Sequence, residues 1–122
     1  MKKVLIIEDN SDNIDVVEAF LEDYFELLKA MDGKMGLEMA IKEKPDIILL
    51  DISLPEMDGV EVLTEIRKNQ EIKDAPVIAL TAHAMIGDRE RFLKAGFDDY
   101  MGKPIIDDNK LIEMINNLLG KR

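Results

Sequence analysis

The sequence predicts an α/β fold in which five parallel β-strands alternate with five α-helices and form one domain over residues 1–122. Three apolar runs rich in Val, Ile and Leu, at residues 4–7, 47–50 and 77–80, have the length and composition of strands buried on both faces. The segments between them carry apolar residues at the spacing of amphipathic helices. Because parallel strands need crossover connections, we expect helices on both faces of the sheet, in a three-layer sandwich.

The first unit begins with the strand at residues 4–7 and continues into a helix. Asn10 or Ser11 can cap this helix, because a short polar side chain accepts a hydrogen bond from a free backbone N–H of the first turn. One face of the helix is apolar, and we expect it to contact the sheet. Its members are Ile14, Val17, Phe20 and Leu21.

The second unit gives a weaker signal. Residues 25–30 predict a strand at an edge of the sheet, and the Asp32-Gly33 turn leads from it into a second helix. Pro45 ends this helix, because proline cannot continue helical hydrogen bonding, and the third strand follows directly. The apolar residues assigned to the second helix are Leu37, Ala40 and Ile41.

The last units repeat this pattern. Asp58-Gly59 opens a third helix, and Pro76 precedes the fourth strand. The fourth helix ends at Gly96, a typical C-cap residue, and residues 100–101 form a short fifth strand. The final helix turns the apolar residues of the segment 111–119 toward the core. For a doubly wound sheet of five strands we expect the order 2-1-3-4-5, the flavodoxin-like order.

Composition restricts the classes of function. The chain has no cysteine, so disulfides and thiolate metal sites are excluded. No apolar stretch approaches the length of a membrane span, and the first strand lies too close to Met1 for a signal peptide, so we expect a cytoplasmic protein. A net charge of −10, from 26 acidic and 16 basic residues, argues against direct binding to nucleic acid.

Chemically reactive side chains follow the strands at the points where they end. Glu8 and Asp9 follow the first strand, Asp51 the third and Thr81 the fourth, and Lys103 comes shortly after the fifth. Ligands of parallel sheets bind at the carboxyl ends of the strands, so these groups should share one cleft. Carboxylates about 5 Å apart repel by about 3 kcal/mol per pair at an effective dielectric constant near 20, so the cluster needs a counter-ion.

The chemistry of this cluster predicts phosphoryl transfer with Mg²⁺. Hard oxygen ligands suit Mg²⁺, and with it bound Asp51 could attack a phosphoryl donor while Lys103 neutralises charge on the phosphoryl oxygens. A nucleotide-binding P-loop and a GxGxxG fingerprint are absent from the sequence. A flavin phosphate would be repelled by the loop from Glu8 to Asn10.

The chain resembles the receiver domains of two-component response regulators over essentially its whole length. Four segments carry the resemblance: residues 4–10 with the acidic pair, residues 46–59 around Asp51, the Thr-Ala-His-Ala-Met segment at 81–85, and Lys103-Pro104. The resemblance implies a phosphorylation-controlled switch that takes a phosphoryl group from a histidine kinase or a histidine phosphotransfer protein. It further implies that the domain catalyses only its own phosphorylation and dephosphorylation.

By position, the resemblance assigns roles at the metal site and the phosphoacceptor. Asp51 would be phosphorylated. Glu8, Asp9 and Asp51 would hold Mg²⁺ through their side chains, and Ser53 would hold it through its backbone carbonyl.

The resemblance also assigns the residues that convert phosphorylation into a signal. Thr81 and Lys103 would bind the phosphoryl group, and Tyr100 would change orientation on activation. The Lys103-Pro104 peptide bond is expected to be cis. We expect the target protein to bind the face formed by the fourth helix, fifth strand and fifth helix. The kinase should dock beside the site, near the first helix around Ile14, because its phosphohistidine must reach Asp51.

Two other functions compete with this interpretation. A phosphohydrolase of the haloacid dehalogenase type also uses an aspartate nucleophile, but it needs a second Asp two residues later, where this chain has Ser53. A degenerate receiver would bind partners without being phosphorylated, but the complete set of acidic residues, Thr81 and Lys103 argues against it.

A few residues have both a functional and a purely structural interpretation. His83, the only histidine, is either a solvent-facing residue or a shield for the phosphoryl group. Tyr100 could be simply an edge-strand aromatic residue. Met31, Met35 and Met39 recur every fourth residue, and we interpret them as adaptable core packing rather than a recognition stripe.

Overall fold

The computed structural model describes residues 1–82, 87–103, 105 and 107–120, and it shows five strands that alternate with five helices. The strands are β1 (Lys3–Ile7), β2 (Glu26–Ala30), β3 (Ile47–Asp51), β4 (Val77–Thr81) and β5 (Asp99–Gly102). The helices are α1 (Ser11–Leu21), α2 (Gly33–Glu43), α3 (Gly59–Lys68), α4 (Asp88–Ala95) and α5 (Asp108–Leu119).

All paired strands are parallel, and the sheet has the order β2-β1-β3-β4-β5, as predicted. Ile7 of β1 lies opposite Leu50 of β3, and Asp51 lies opposite Leu80 of β4. Thr81 in turn lies opposite Gly102 of β5. This register brings the carboxyl ends of the four strands level, so the residues that come after them share one edge of the sheet.

Two hydrophobic cores cover the two faces of the sheet. On one face, side chains of β1 and β3 such as Leu5 and Ile48 pack against α2, α3 and α4. On the other face, side chains such as Ile6 and Leu49 pack against α1 and α5. Neighbouring residues of each central strand therefore point into different cores, which explains why these strands are apolar throughout.

Polar side chains cap four of the five helices. Asn10 caps α1, because its side chain accepts a hydrogen bond from the Asn13 N–H. Of the two caps that the sequence allowed, Asn10 and Ser11, the structure uses Asn10. Asp32, Asp58 and Asp107 cap α2, α3 and α5 in the same way. Capping satisfies backbone N–H groups of the first turn and fixes where each helix begins.

The prediction that three methionines pack in the core is wrong for two of them. Met31 is 47% and Met35 45% exposed, and only Met39 packs against the core. For Met35 the reason is that α2 approaches the sheet through small residues, among them Gly36, where a Cβ would come within 2.5 Å of the Ile7 side chain. Large side chains on the adjoining faces of the helix are therefore left outside, and Ile41 is among them. Met31 precedes α2.

Smaller differences concern the bounds of the fifth strand and the burial of Phe20. The fifth strand spans Asp99–Gly102 rather than residues 100–101 alone. Phe20 is only half-buried at the border of the core. Within the described residues, no helix combines the length and apolar character that crossing a membrane requires.

Candidate phosphoryl-transfer and metal site

Three carboxylates meet at the carboxyl edge of the sheet, as the strand ends predict. Glu8 and Asp9 follow β1, Asp51 ends the adjacent β3, and one oxygen from each lies within 4.8 Å of the others. Glu8 and Asp51 are each only 1% exposed, whereas Asp9 is exposed. The cluster thus has a buried floor and one carboxylate open to solvent.

Lys103 supplies a positive charge inside this cluster. Its Nζ lies 3.0 Å from Glu8 Oε1 and 3.1 Å from Asp51 Oδ2, and its side chain is 13% exposed. The sequence predicted Lys103 as a ligand of the phosphoryl group but not as a bridge between these carboxylates. Because an ammonium at this distance attracts both, the repulsion expected of an empty cluster is partly compensated within the protein itself.

The pKa values of these groups reflect their packing. The pKa of Glu8 rises from 4.5 to about 7, first because the carboxyl is buried and second because it shares a hydrogen bond with Asp51, while Lys103 opposes the rise. Burial also raises the pKa of Asp51, but hydrogen bonds from Glu8, the Ser53 N–H and Lys103 outweigh it, so this pKa falls below its usual range. Asp51 is therefore ionised at neutral pH.

The pKa of Lys103 is likewise set by opposing effects. Burial lowers it, but the hydrogen bonds to Glu8 and Asp51 outweigh burial and keep the pKa above its usual range. Lys103 is therefore a permanent cation at neutral pH, and it lies where a phosphoryl group on Asp51 would carry its negative charge.

Asn13 is a member of the site that the sequence did not predict. Its side-chain Nδ2 donates a hydrogen bond of 3.0 Å to Glu8 Oε1, the same oxygen that Lys103 contacts. The Asn10 N–H donates a longer bond of 3.4 Å to Glu8 Oε2. The signal available in the sequence was the position of Asn13 in the first turn of α1, close to the end of β1.

Ser53 lies in the loop after β3 and is exposed. Its N–H donates a hydrogen bond of 3.0 Å to Asp51 Oδ1, which orients the carboxylate from the side opposite to Lys103. The two oxygens of Asp51 thus have different partners, Ser53 and Lys103. The role assigned to the Ser53 carbonyl as a metal ligand stays a prediction.

Thr81 ends β4 at the position expected for it. It is buried, and it lies one residue beyond Leu80, the residue opposite Asp51. Its carbonyl oxygen accepts a hydrogen bond of 2.7 Å from the Lys103 N–H, so the two predicted phosphoryl ligands are joined through their backbones. His83 and Pro104, including the expected cis bond, lie outside the described residues.

Tyr100 is half-buried on β5 and contacts an aromatic residue of α4. The ring centroids of Tyr100 and Phe92 are 5.8 Å apart, and Phe92 also makes an edge contact with Phe97 at 5.9 Å. Phe92 was not predicted as part of the switch region. The contact joins β5 to α4, and the change of orientation assigned to Tyr100 stays a prediction.

The donor set of the acidic cluster fits a hard divalent cation. Three carboxylates offer oxygens within 4.8 Å of one another, and Asp9 is accessible from solvent. Mg²⁺ prefers such oxygen ligands and keeps some of its water. An ionised aspartate, a lysine and a cation site in one place are the components of phosphoryl transfer to a carboxylate.

Comparison with known proteins identifies the family. The sequence profile of the response regulator receiver domain matches residues 4–116. The chain belongs to this family. It is similar to the Polar-differentiation response regulator DivK of Brucella anthropi: the two are 39% identical over 120 residues, which is 98% of this chain and 97% of the relative.

Solved receiver structures agree with the fold. The receiver domain of the sensor histidine kinase PA1611 from Pseudomonas aeruginosa has a TM-score of 0.88 and 36% identity, covers 98% of both chains, and contains a magnesium ion in its active-site cleft. The receiver domain of the Francisella response regulator 1452 has a TM-score of 0.89 and 30% identity, and the match covers 99% of this chain and 98% of that one.

This receiver domain is therefore a component of two-component phosphorelay signalling, a switch that responds to phosphorylation. Its partners belong to the histidine kinases or phosphotransfer proteins that serve receiver domains. The complete acidic cluster with its lysine does not favour a degenerate receiver. Ser53 stands where a dehalogenase-type hydrolase needs its second Asp, so the sequence argues against that alternative.

Proposed function

We propose that this receiver accepts a phosphoryl group on Asp51 from the phosphohistidine of a sensor histidine kinase or a histidine phosphotransfer protein. The observation that carries the proposal is the setting of Asp51. Its carboxylate is buried and ionised, lies 3.1 Å from the Lys103 ammonium, and belongs to the cluster with Glu8 and Asp9. The site thus places a nucleophile, a cation and a set of hard oxygen ligands close to one another.

Glu8, Asp9 and Asp51 would hold Mg²⁺ through their side chains, with the backbone carbonyl of Ser53 as a further ligand. The spacing of the three carboxylates and the exposure of Asp9 support this assignment. When bound, the metal supplies positive charge that neutralises the oxygens of the phosphoryl group.

In the transfer step, a carboxylate oxygen of Asp51 attacks the phosphorus atom. The new O–P bond forms as the P–N bond to the donor imidazole breaks, and the imidazole leaves with the electron pair of that bond and takes a proton from water. Lys103 holds phosphoryl oxygens through its ammonium, and Thr81 holds another through its hydroxyl. No general base is needed at Asp51, because its low pKa keeps it ionised.

The same site would reverse the modification. A water molecule attacks the phosphorus, the bond between phosphorus and Asp51 breaks, and the products are inorganic phosphate and the free carboxylate. Catalysis would be confined to the domain's own phosphorylation and dephosphorylation, because Ser53 cannot serve as the acid and base that turnover of an outside substrate requires.

The kinase or phosphotransfer protein would dock beside α1, close to the site. Ile14, around which this contact was predicted, is itself buried in the core. Val16 is a large apolar side chain of α1 that is 40% exposed, and it lines a small cavity together with Glu8 and Lys103. A docked donor could therefore contact α1 and reach Asp51.

The target protein would bind the face formed by α4, β5 and α5. A groove of about 510 Å³ lies on this face, with charges of both signs from Arg89, Asp99, Lys110 and Glu113. Phosphorylation would alter the face when Thr81 moves toward the phosphoryl group and Tyr100 changes orientation. The net charge of −10 supports an output through protein contact, without direct binding to nucleic acid. We propose that this output takes place in the cytoplasm, and we assign residues 1–122 to a single receiver domain.

Covalent labelling tests the proposal. Incubation with acetyl phosphate and Mg²⁺ should add one phosphate that is labile to hydroxylamine, and Asp51→Ala should abolish it. Asp74→Ala, which removes an exposed carboxylate beyond the site, is the matched control and should keep the label. Labelling of Asp51→Ala at the level of the unmodified protein would place the chemistry at another residue.

A further inference from the structure

Asn13 holds Glu8 from a position that the helix itself makes rigid. Its backbone N–H is bound 3.1 Å from the Asn10 Oδ1 cap, which fixes the first turn of α1. Its side chain is half-buried and donates from Nδ2 to Glu8 Oε1 at 3.0 Å. The backbone and the side chain of one residue therefore tie the helix cap to the acidic cluster.

Glu8 Oε1 has two donors of different character. Lys103 donates to it at 3.0 Å and also lies 3.1 Å from Asp51, so this cation is shared between the two carboxylates. If Lys103 turns toward phosphoryl oxygens on Asp51, its hold on Glu8 weakens, because one ammonium has only three hydrogens to donate. Asn13 faces no such competition, since its amide makes no described contact with Asp51.

The neutrality of the Asn13 amide matters for a cation site. A second lysine at this position would compete with a divalent ion for Glu8, and a carboxylate would repel Glu8 across 3.0 Å. An amide donor fixes the direction of the carboxylate without adding charge. In known metal sites, such hydrogen bonds to the ligands orient them and tune affinity for the metal.

We propose that Asn13 is a positioning residue that keeps the Glu8 carboxylate directed for Mg²⁺ binding, in particular when Lys103 is engaged by the phosphoryl group. This inference depends on the proposed role of Glu8 as a metal ligand and adds to it a residue that acts through Glu8. In this proposal Asn13 acts only through its hydrogen bond to Glu8 and is not a ligand of the metal or the phosphoryl group.

Titration with Mg²⁺ alone, followed by calorimetry, tests the inference. Asn13→Ala should weaken Mg²⁺ binding about 10-fold, the lower end of the range for residues that orient metal ligands. Asn13→Gln keeps the amide donor and should recover most of the affinity. Asn117→Ala makes the same chemical change on an exposed position of α5, remote from the carboxyl edge, and should bind Mg²⁺ as the unmodified protein does.

A purely structural role of Asn13 predicts a different result. Alanine has a higher helix propensity than asparagine, so without metal Asn13→Ala should melt at the same temperature or higher if the side chain serves only the helix. If Asn13 positions Glu8, Mg²⁺ should raise the melting temperature of Asn13→Ala by less than it raises that of the unmodified protein. The Mg²⁺ concentration for half-maximal labelling by acetyl phosphate should be about 10-fold higher in Asn13→Ala, while the labelling rate at saturating Mg²⁺ stays within about twofold of the unmodified protein.

The outcomes separate this inference from the proposed function. Equal Mg²⁺ affinities of Asn13→Ala and the unmodified protein would overturn the inference, and so would a loss that Asn13→Gln does not reduce. If the unmodified protein itself fails to bind Mg²⁺, the proposed metal site fails and the inference fails with it. If it binds Mg²⁺ normally and only the Asn13 variants behave unexpectedly, the proposed function stands.

Discussion

Gly59 shows how a single residue allows the strand that carries Asp51 to meet the next helix. A Cβ at this position would lie 2.7 Å from the Asp51 carbonyl oxygen and 2.8 Å from the Ile52 Cα, closer than real Cβ atoms approach backbone. The Gly59 N–H instead donates a hydrogen bond of 3.1 Å to the Ile52 carbonyl. The absence of a side chain thus lets α3 begin directly behind Asp51, with Asp58 as its cap.

At the same scale, the raised pKa of Glu8 predicts how stability depends on pH. The folded protein keeps a proton on Glu8 up to about pH 7, whereas the unfolded chain releases it near pH 4.5. Without metal, the free energy of unfolding should therefore fall as the pH rises through this window, by at most about 1.4 kcal/mol per pH unit. The shifts of Asp51 and Lys103 lie outside the window, because the first is downward from 3.8 and the second upward from 10.5.

Urea denaturation at several pH values between 5 and 7.5 measures this slope. Glu8→Gln cannot ionise and should lose the component of the slope that Glu8 contributes. Saturating Mg²⁺ should also remove it, since a bound cation favours the ionised carboxylate throughout the window. The assignment fails if Glu8→Gln shows the same slope as the unmodified protein.

Among the elements, α3 is fixed to the sheet by Arg67 at the end remote from the site. Its guanidinium donates to the carbonyls of Lys73 and Ala75 at 2.8 and 2.7 Å, to the Gly96 carbonyl at 2.8 Å and to Asp98 at 3.1 Å. These acceptors precede β4 and β5 in the chain. One side chain thereby connects α3 with the amino ends of two strands.

Removal of this connection should affect stability and leave the chemistry intact. Arg67→Ala should lower the free energy of unfolding by about 2–4 kcal/mol, because several carbonyls lose a charged donor together. Lys68→Ala, which removes the exposed neighbour whose ion pair with Glu65 spans 3.8 Å, should cost less than about 0.5 kcal/mol. Urea denaturation measures both, and acetyl phosphate labelling of the folded Arg67→Ala protein should match that of the unmodified one. Equal stabilities of the two variants would contradict the role given to Arg67.

For the whole molecule, the sequence best predicts the features that strand periodicity and strand order determine. The convergence of Glu8, Asp9, Asp51 and Thr81 was predictable, because the ends of neighbouring parallel strands share one edge. Contacts that depend on helix rotation and side-chain reach were not. Asn13, Arg67 and the exposed Met35 belong to this second group. The sequence does not reveal that α2 packs through glycine, or which oxygen atoms the Asn13 and Arg67 side chains reach.

Signal transmission is the property that involves the most distant parts of the molecule. Thr81 and Lys103 are joined by a hydrogen bond of 2.7 Å next to Asp51, and Tyr100 lies on the same strand as Gly102, the residue opposite Thr81. Tyr100 in turn contacts Phe92 of α4. A phosphoryl group can change the populations of two conformations of this region only to the extent that it interacts more favourably with one of them than with the other.

Amide chemical shifts recorded with Mg²⁺, before and after addition of beryllium fluoride, test this relay. We expect changes around Asp51 and also at Phe92, Tyr100 and Met101, with little change at Ala40 on α2, which packs against the part of the sheet away from β5. Thr81→Ala should still accept phosphate on Asp51 but lose the changes at Phe92 and Tyr100, because the hydroxyl that should follow the phosphoryl group is gone. Chemical-shift changes confined to the surroundings of Asp51 in the unmodified protein would disprove the relay. The aromatic contact between β5 and α4 would then not respond to beryllium fluoride at Asp51.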